Sequence, residues 1–332
     1  MLRNLLVLAL IGAVVGGAWL YDQLRGFSQA PLSGTQTVEI AAGSSFAGIV
    51  QQLRKAGLTD APDLYWRTLA EQMHVVNRLH AGEYAIPAGT SPRELLERMA
   101  AGDVIQHRIT IVEGWTFAQL RAALSARDDL RQAAGSTSDV ELMKRLDLPG
   151  IFPEGRFLPE TYTFTKGDSD LDVLNRAHSA MTKALRDIWS KRAPEVNLSS
   201  EYEALILASI VERETGKATE RPQIAGVFLR RLKIGMKLQT DPSVIYGLGA
   251  SFNGNLRRVD LDTDTPYNSY TRAGLPPTPI ALPGRAALEA VAHPASGDTL
   301  YFVARGDGSH EFSDSLEAHN RAVAKYQLHR NP

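Results

Sequence analysis

Cysteine is absent from this sequence of 332 residues. Its absence excludes a disulfide framework and any metal site built on thiolates. A block of basic residues is also absent, since 36 Lys and Arg stand against 37 Asp and Glu, for a formal net charge of −1. This balance argues against a nucleic-acid partner, which would be held by neutralising its phosphates. The histidines do not follow metal-ligand spacing, so we expect neither a metal nor a cofactor.

Charged residues are missing from residues 5–21, a stretch of 17 residues near the N-terminus. This length is at the lower end for a transmembrane helix, which takes about 17–25 apolar residues. Trp19 and Tyr21 at its end are typical of a membrane interface. A cleaved signal peptide is the alternative, although no clean Ala-x-Ala cleavage site is present. We expect a retained single-pass anchor in a bacterial inner membrane.

Arg3 lies on the short N-terminal side of this stretch. By the positive-inside rule, residues 1–4 are then a cytoplasmic tip and the C-terminal part faces the periplasm. Residues 22–36 are small, polar and turn-prone, which predicts a linker. The rest of the chain is long enough for two folded domains, and its composition of 44% hydrophobic residues is that of a globular protein.

Three segments share one pattern: a short alternating apolar run, a glycine, a serine or threonine, and an amphipathic stretch. They are residues 38–53 with Gly43, 84–99 with Gly89, and 109–124 with Gly114. The pattern predicts a strand, a tight turn at glycine and a helix capped by a hydroxyl group. Residues 37–107 resemble a LysM-type module, a βααβ unit that binds chains containing N-acetylglucosamine. A purely structural α+β spacer is the alternative.

The stretch LASIVERETG at 207–216 places two carboxylates at the end of an apolar run. Ser200 and Glu203 form a capping box at its start, and apolar residues surround the axis, so we predict a buried helix. Glu214 is expected to pair with Lys217 in an exposed contact. Glu212 has only small helical neighbours, which predicts open space above a carboxyl with a raised pKa. Pairing of Glu212 with a buried arginine is the alternative.

Several long motifs resemble those of the endolytic murein transglycosylases, the YceG-like family. They are LASIVERETG, FPEGRFLPETY, FLRRLKIGMKLQTDPSVIYGLG, TPYNSYTRAGLPPTPI and LYFVARGDGSHEFSDSLEAHN. The resemblance implies an α+β protein with a transmembrane helix, a LysM-like module and a larger α+β catalytic domain, here residues 108–330. It implies internal cleavage of nascent peptidoglycan strands, which ends their growth, beside the penicillin-binding synthases. It also places the catalytic glutamate in the SIVE motif, at Glu212.

A lytic transglycosylase needs one carboxyl group, because the substrate supplies its own nucleophile. Glu212 would protonate the bond between N-acetylmuramic acid and N-acetylglucosamine, and the muramic C6 hydroxyl would then form a 1,6-anhydro end. Amides and aromatics on loops suit sugar binding, although Asp241 is also a plausible helix N-cap. The substrate-binding candidates are Glu160, Ser209, Gln239, Asp241, Tyr267, Asn268, Tyr270 and Thr271.

Two other functions remain open at this point. A non-catalytic peptidoglycan-binding scaffold would keep the fold and would tolerate replacement of Glu212. A muramidase would hydrolyse the same bond with water and would need a second carboxylate, for which Asp241 and Glu160 are the candidates.

Overall fold

The computed structural model describes residues 2–328, and in the first helix it leaves out the side chains of residues 2–6, 8 and 9. Of the predicted tip at 1–4, only the backbone of residues 2–4 is described. Residues 329 and 330, the last two of the predicted domain at 108–330, lie outside the described residues. Within the described part of the chain, no helix combines the length and apolar character needed to cross a membrane.

The chain divides into two compact units. One comprises Met1–His107 with Thr163–Asp168, and the other comprises Arg108–Tyr162 with Ser169–Pro332. The predicted domain boundaries and the LysM-like assignment stay predictions. The described residues form three two-stranded sheets, so the protein is a mixed α+β protein in which helices predominate.

The first unit has a βααβ core. Its elements are α1 (Leu2–Gln29), β1 (Gln36–Ile40), α2 (Phe46–Lys55), α3 (Asp63–Gln72), β2 (Gly82–Ile86) and α4 (Pro92–Ala101). Strands β1 and β2 pair antiparallel, with Ile40 opposite Gly82. Trp66 and Tyr84 are completely buried in the core between the helices and this sheet.

The three predicted strand–turn–helix segments are confirmed. The third consists of β3 (His107–Thr110) and α5 (Phe117–Ser125). In each segment the glycine has a positive φ, 77° at Gly43, 89° at Gly89 and 77° at Gly114, a conformation that glycine adopts without a steric penalty. The helices are capped by the side-chain oxygens of Ser45, Ser91 and Thr116, which accept backbone N–H groups of the first turn.

The second unit is built mainly from helices. After β3 and α5 the chain continues with α6 (Asp139–Arg145), β4 (Thr161–Phe164), α7 (Asp170–Trp189), α8 (Glu201–Glu214), α9 (Arg221–Lys233), α10 (Asp241–Leu248), α11 (Arg258–Asp262), α12 (Arg285–Ala292), β5 (Tyr301–Ala304), β6 (His310–Ser313) and α13 (Leu316–Tyr326). Of these residues, Thr163 and Phe164 in β4 belong to the first unit. Strands β5 and β6 form an antiparallel hairpin, with Tyr301 opposite Ser313.

Helix α8 is the central helix of this unit, as the sequence predicts. Its residues from Ala204 to Val211 are all buried, and it packs against α7, α9 and α12. Burial of one large apolar side chain stabilises the fold by roughly 1.5–3 kcal/mol, so this helix is held firmly in place. The Ser200 hydroxyl caps its start by accepting the Glu203 N–H. Its last turn therefore presents Glu212 and Glu214 from a rigid support.

Candidate active site

Glu212 and Glu214 enter different surroundings from the last turn of α8. An α-helix rotates by about 100° per residue, so side chains two positions apart point about 160° away from each other. The two carboxyl groups therefore contact different parts of the protein.

Glu212 occupies a closed pocket formed with Glu113, Arg221 and Gly284, the Glu212 pocket. Its side chain is only 5% exposed, and its Oε1 accepts a hydrogen bond from Arg221 Nη2 at 3.1 Å. Its Oε2 accepts the backbone N–H of Gly284 at 2.9 Å. Burial raises the pKa of Glu212, while these two donors and the Arg221 charge oppose the rise.

Glu113 completes this pocket. Its Oε2 lies 3.6 Å from Arg221 Nη2, and a Cβ added to Gly284 would come within 1.9 Å of Glu113 Oε1. A larger residue at position 284 would therefore displace the Glu113 carboxylate. The predicted rise in the pKa of Glu212 is confirmed in direction, but the predicted open space above it is wrong. Protein groups fill that space, and the alternative of a buried arginine partner is what the structure contains.

Glu214 lines a cavity of 490 Å³. The Glu214 cavity is bounded by Glu214, Arg231, Gln239, Asp241, Tyr270, the β5–β6 hairpin and α13. Removal from water, chiefly, and the nearby charge of Asp241 raise the pKa of Glu214 to about 7. A carboxyl group of this kind carries a proton in a large fraction of molecules near neutral pH.

The predicted contact between Glu214 and Lys217 is wrong. Lys217 Nζ instead lies 3.6 Å from Glu220 Oε1. The reason is local, because α8 ends at Glu214 and Thr215 adopts an extended conformation with φ −144° and ψ 135°. The helical spacing that would bring position 217 over position 214 no longer applies.

Three of the predicted substrate-binding residues line the cavity with Glu214: Gln239, Asp241 and Tyr270. The Tyr270 hydroxyl donates to Asp241 Oδ1 at 2.6 Å, which orients both side chains. Gln239 has a φ of 49°, an uncommon value for a residue with a side chain. Backbone strain of this kind clusters at functional sites.

The lining of the cavity also contains residues that sequence reasoning missed. Arg231 is buried, its positive charge opposes the rise in the pKa of Glu214, and it is held by the carbonyl oxygens of Leu300 at 2.7 Å and Leu238 at 2.6 Å. His310 Nδ1 and Glu220 Oε2 are 2.7 Å apart. His310 follows no metal-ligand spacing in the sequence, and it reaches the cavity through the β5–β6 hairpin.

Two of the other predicted candidates are buried within the protein. Ser209 is fully buried, and its Oγ donates to Ile206 O at 2.7 Å and accepts the Ile280 N–H at 3.0 Å. The Asn268 amide donates to Thr263 O at 2.7 Å and accepts the Tyr270 N–H at 2.8 Å. Asn268 thus fixes the loop that presents Tyr270 to the cavity.

The remaining candidates have partners elsewhere on the second unit. The Tyr267 hydroxyl lies 2.8 Å from Thr278 Oγ1, Thr271 Oγ1 donates to Asp264 at 2.7 Å, and Glu160 pairs with Arg285 at 3.1 Å. None of the three is among the residues that line the Glu214 cavity. Substrate binding by these three residues, by Ser209 and by Asn268 stays a prediction. The catalytic role of Glu212 stays a prediction as well.

The lining of the Glu214 cavity suits a sugar. Tyr301 and Phe302 are aromatic members of this lining, while Gln239, Tyr270 and Asp241 offer hydrogen-bonding groups for hydroxyls and amides. Within residues 2–328, as far as they are described, no group of three or more His, Asp and Glu side chains is arranged to hold a metal ion. The Glu214 cavity combines a carboxyl group of raised pKa with polar and aromatic side chains of the types that bind sugars.

Comparison with known proteins identifies the family. The YceG-like family matches residues 38–325. An endolytic murein transglycosylase of Bacillus subtilis is 30% identical over 340 residues, which cover 96% of this chain and 92% of that protein. Another, from Streptococcus pneumoniae, is 29% identical over 87% of this chain, which spans 58% of that longer protein. The crystal structure of a YceG-like protein from Listeria monocytogenes is 29% identical, with a TM-score of 0.55 over 87% of this chain and 99% of that one. With the family match over most of its length, this chain belongs to the YceG-like family.

Proposed function

We propose that this chain is a peptidoglycan lytic transglycosylase in which Glu214 is the general acid and then the general base. The main support is the placement of Glu214, whose carboxyl has a pKa of about 7, in a cavity with three predicted sugar-binding residues. Related chains named as endolytic murein transglycosylases extend over nearly the whole sequence.

The reaction requires only one carboxyl group. Protonated Glu214 gives its proton to the glycosidic oxygen as the bond from that oxygen to C1 of N-acetylmuramic acid breaks. The C6 hydroxyl of the same sugar forms the new bond to C1, and its proton passes to the Glu214 carboxylate. The acid is thereby restored and no water is consumed. The attacking hydroxyl belongs to the substrate, so it acts at high effective concentration.

The assignment to Glu214 differs from the expectation that the family resemblance places on Glu212. Both oxygens of Glu212 already accept hydrogen bonds, one of them from a buried arginine. Protonation of Glu212 would weaken its contact with Arg221. The Glu212 side chain is only 5% exposed, so its carboxyl group offers little surface to a substrate oxygen. Glu214 instead faces a cavity.

Mass spectrometry of products from uncrosslinked glycan strands tests this function. The wild-type chain is expected to leave 1,6-anhydro-N-acetylmuramic acid ends, and Glu214→Gln is expected to leave none. No cleavage by the folded wild-type chain would favour the non-catalytic scaffold.

Hydrolysis by a muramidase is the second candidate, and it has one observation in its favour. Asp241 lies beside Glu214 in the same cavity, so a second carboxylate is present that a water-activating mechanism requires. Reducing ends among the products, lost in Asp241→Asn, would identify hydrolysis.

The proposal extends to location and partners. Residues 5–21 would anchor the chain in the inner membrane with the N-terminus in the cytoplasm and the second unit in the periplasm. In support, the stretch is free of charged residues, and its side chains at Leu10, Val14 and Trp19 are more than 60% exposed. This position would bring the enzyme to nascent strands beside the penicillin-binding synthases. Retention in the membrane after alkaline extraction, lost when residues 5–21 are deleted, would support it.

A further inference from the structure

A second cleft of 620 Å³ lies in the same unit as the Glu214 cavity. The walls of this cleft, the Phe152 cleft, include Phe117, Phe152, Glu154, Arg213 and Tyr246. Its size falls within the range of small-molecule sites, about 300–1,000 Å³. The mechanism above does not use any of these residues.

The two cavities flank the same two helix ends. Arg213 lines the Phe152 cleft and Glu214 lines the Glu214 cavity, although they are neighbours in the last turn of α8. At the start of α10, Asp241 lines the Glu214 cavity and Pro242 lines the Phe152 cleft. An extended polymer that crosses these helix ends would therefore contact both cavities.

Glu154 makes the Phe152 cleft a preformed site. It is 3% exposed, its Oε1 accepts the Phe117 N–H at 2.9 Å and its Oε2 accepts the Tyr246 hydroxyl at 3.1 Å. One buried carboxyl group thus joins the wall formed by α5 to the wall formed by α10. The turn that carries it is tight, because a Cβ on Gly155, whose φ is 78°, would lie 2.6 Å from Pro279. Rigid walls of this kind lower the entropy loss on binding.

The lining of the cleft has the two components of a sugar-binding surface. Phe152 is 45% exposed, so its ring is available for contact with the apolar face of a sugar. Arg213 is exposed and directs one N–H to Gly114 O at 3.2 Å, and a guanidinium carries five N–H donors for hydroxyl, amide or carboxylate oxygens. Gln119 and Thr116 add further polar groups to the same wall.

We propose that the Phe152 cleft binds sugars of the glycan strand beyond the bond that is cleaved in the Glu214 cavity. This inference rests on the proposed function, because the occupant is the same strand. The occupant is chosen because neighbouring residues at the end of α8 and at the start of α10 line the two cavities. Strand length then becomes a determinant of affinity, since only a strand long enough to leave the Glu214 cavity reaches Phe152.

The test compares Phe152→Ala with Ile151→Ala in the full chain carrying Glu214→Gln. Ile151 is the matched control because it is the neighbouring residue, is 38% exposed and does not line the cleft. Isothermal titration uses soluble, uncrosslinked oligomers of alternating N-acetylglucosamine and N-acetylmuramic acid, one short and one long. For the long oligomer, Phe152→Ala is expected to raise the Kd about tenfold, which corresponds to roughly 1.4 kcal/mol. For the short oligomer, and for Ile151→Ala with either, the Kd should not change.

An equal effect of Phe152→Ala on both oligomers, or no effect on either, would overturn the inference. Thermal unfolding of both variants is measured alongside, and equal unfolding temperatures assign the change in Kd to the cleft. The outcome is separable from that of the proposed function, because binding is measured in a variant that does not cleave. If the wild-type chain gave no anhydro products while binding still depended on strand length, transglycosylation would be refuted. Binding of sugars in the Phe152 cleft would then still stand.

Discussion

Glu212 and Glu214 extend from the same turn of one buried helix into different surroundings. Glu212 is enclosed by Arg221 and the Gly284 N–H. Glu214 faces a cavity, and its charge is destabilised by removal from water and by the neighbouring Asp241. Both carboxyl groups have a raised pKa, but Glu212 is engaged by protein donors while Glu214 lines a cavity.

The difference shows that burial alone does not make a carboxyl group a catalytic acid. Burial raises the pKa of both residues. Hydrogen bonds to the charged form counteract that effect at both residues, from Gly284 and Arg221 at Glu212 and from Thr240 at Glu214. A neighbouring carboxylate reinforces it at both, Glu113 at Glu212 and Asp241 at Glu214. Access separates them, since Glu214 lines a cavity of substrate size, whereas both oxygens of Glu212 are held by protein groups.

Replacing each carboxyl group by its amide should produce the largest difference in activity between the two residues. Glu214→Gln is expected to lower kcat by about 10²–10⁴-fold, the contribution of general acid–base catalysis. Glu212→Gln should keep most of the activity at a temperature where it is folded, because Glu212 does not reach the Glu214 cavity. Turnover of uncrosslinked strands measures both. The reverse order of effects would return the acid to Glu212.

Stability should reverse the ranking of the two residues. Glu212→Gln leaves the buried Arg221 guanidinium without its closest carboxylate, and loss of one partner of a buried ion pair costs about 3 kcal/mol. Denaturant unfolding of the full chain measures this free energy. Glu113→Gln is the control, because Glu113 is 46% exposed and its contact with Arg221 is longer at 3.6 Å, so its loss should cost under about 1 kcal/mol. Equal losses in the two variants would contradict the assignment.

The pH dependence of cleavage should show whether Glu214 is the acid. The acid must carry its proton at the start of the reaction, so activity should be constant below the pKa of Glu214, about 7, and fall above it. The fall should approach about tenfold per pH unit. In Asp241→Asn the negative charge that raises this pKa is gone, and the falling limb of the kcat profile should move to lower pH. A limb that stays in place would show that another group is the acid.

Local sequence patterns predicted much of the fold. The glycine–hydroxyl pattern at Gly43, Gly89 and Gly114 specifies each turn and helix start by steric and capping effects within a few residues. The continuous apolar run of α8 likewise predicts its burial. Such signals are readable because the groups that interact are close in the chain.

The candidate site was predicted only in part. Gln239, Asp241 and Tyr270 were recognised as sugar-binding types and do share a cavity. Arg221 and His310 were missed, since their partners Glu212 and Glu220 lie 9 and 90 residues away along the chain. The contact of Glu214 with Lys217 was predicted from helical spacing and fails because the helix ends at Glu214.

The amino-acid sequence alone is enough to predict that two carboxyl groups stand at the end of a buried helix and that the chain resembles a sugar-cleaving family. The folded structure is needed to show that Glu214 lines a cavity while both oxygens of Glu212 are held by protein groups. The pKa and the accessibility of a carboxyl group depend on the donors, charges and empty space around it, and at Glu212 and Glu214 these come from loops and helices that the chain brings together only when it folds.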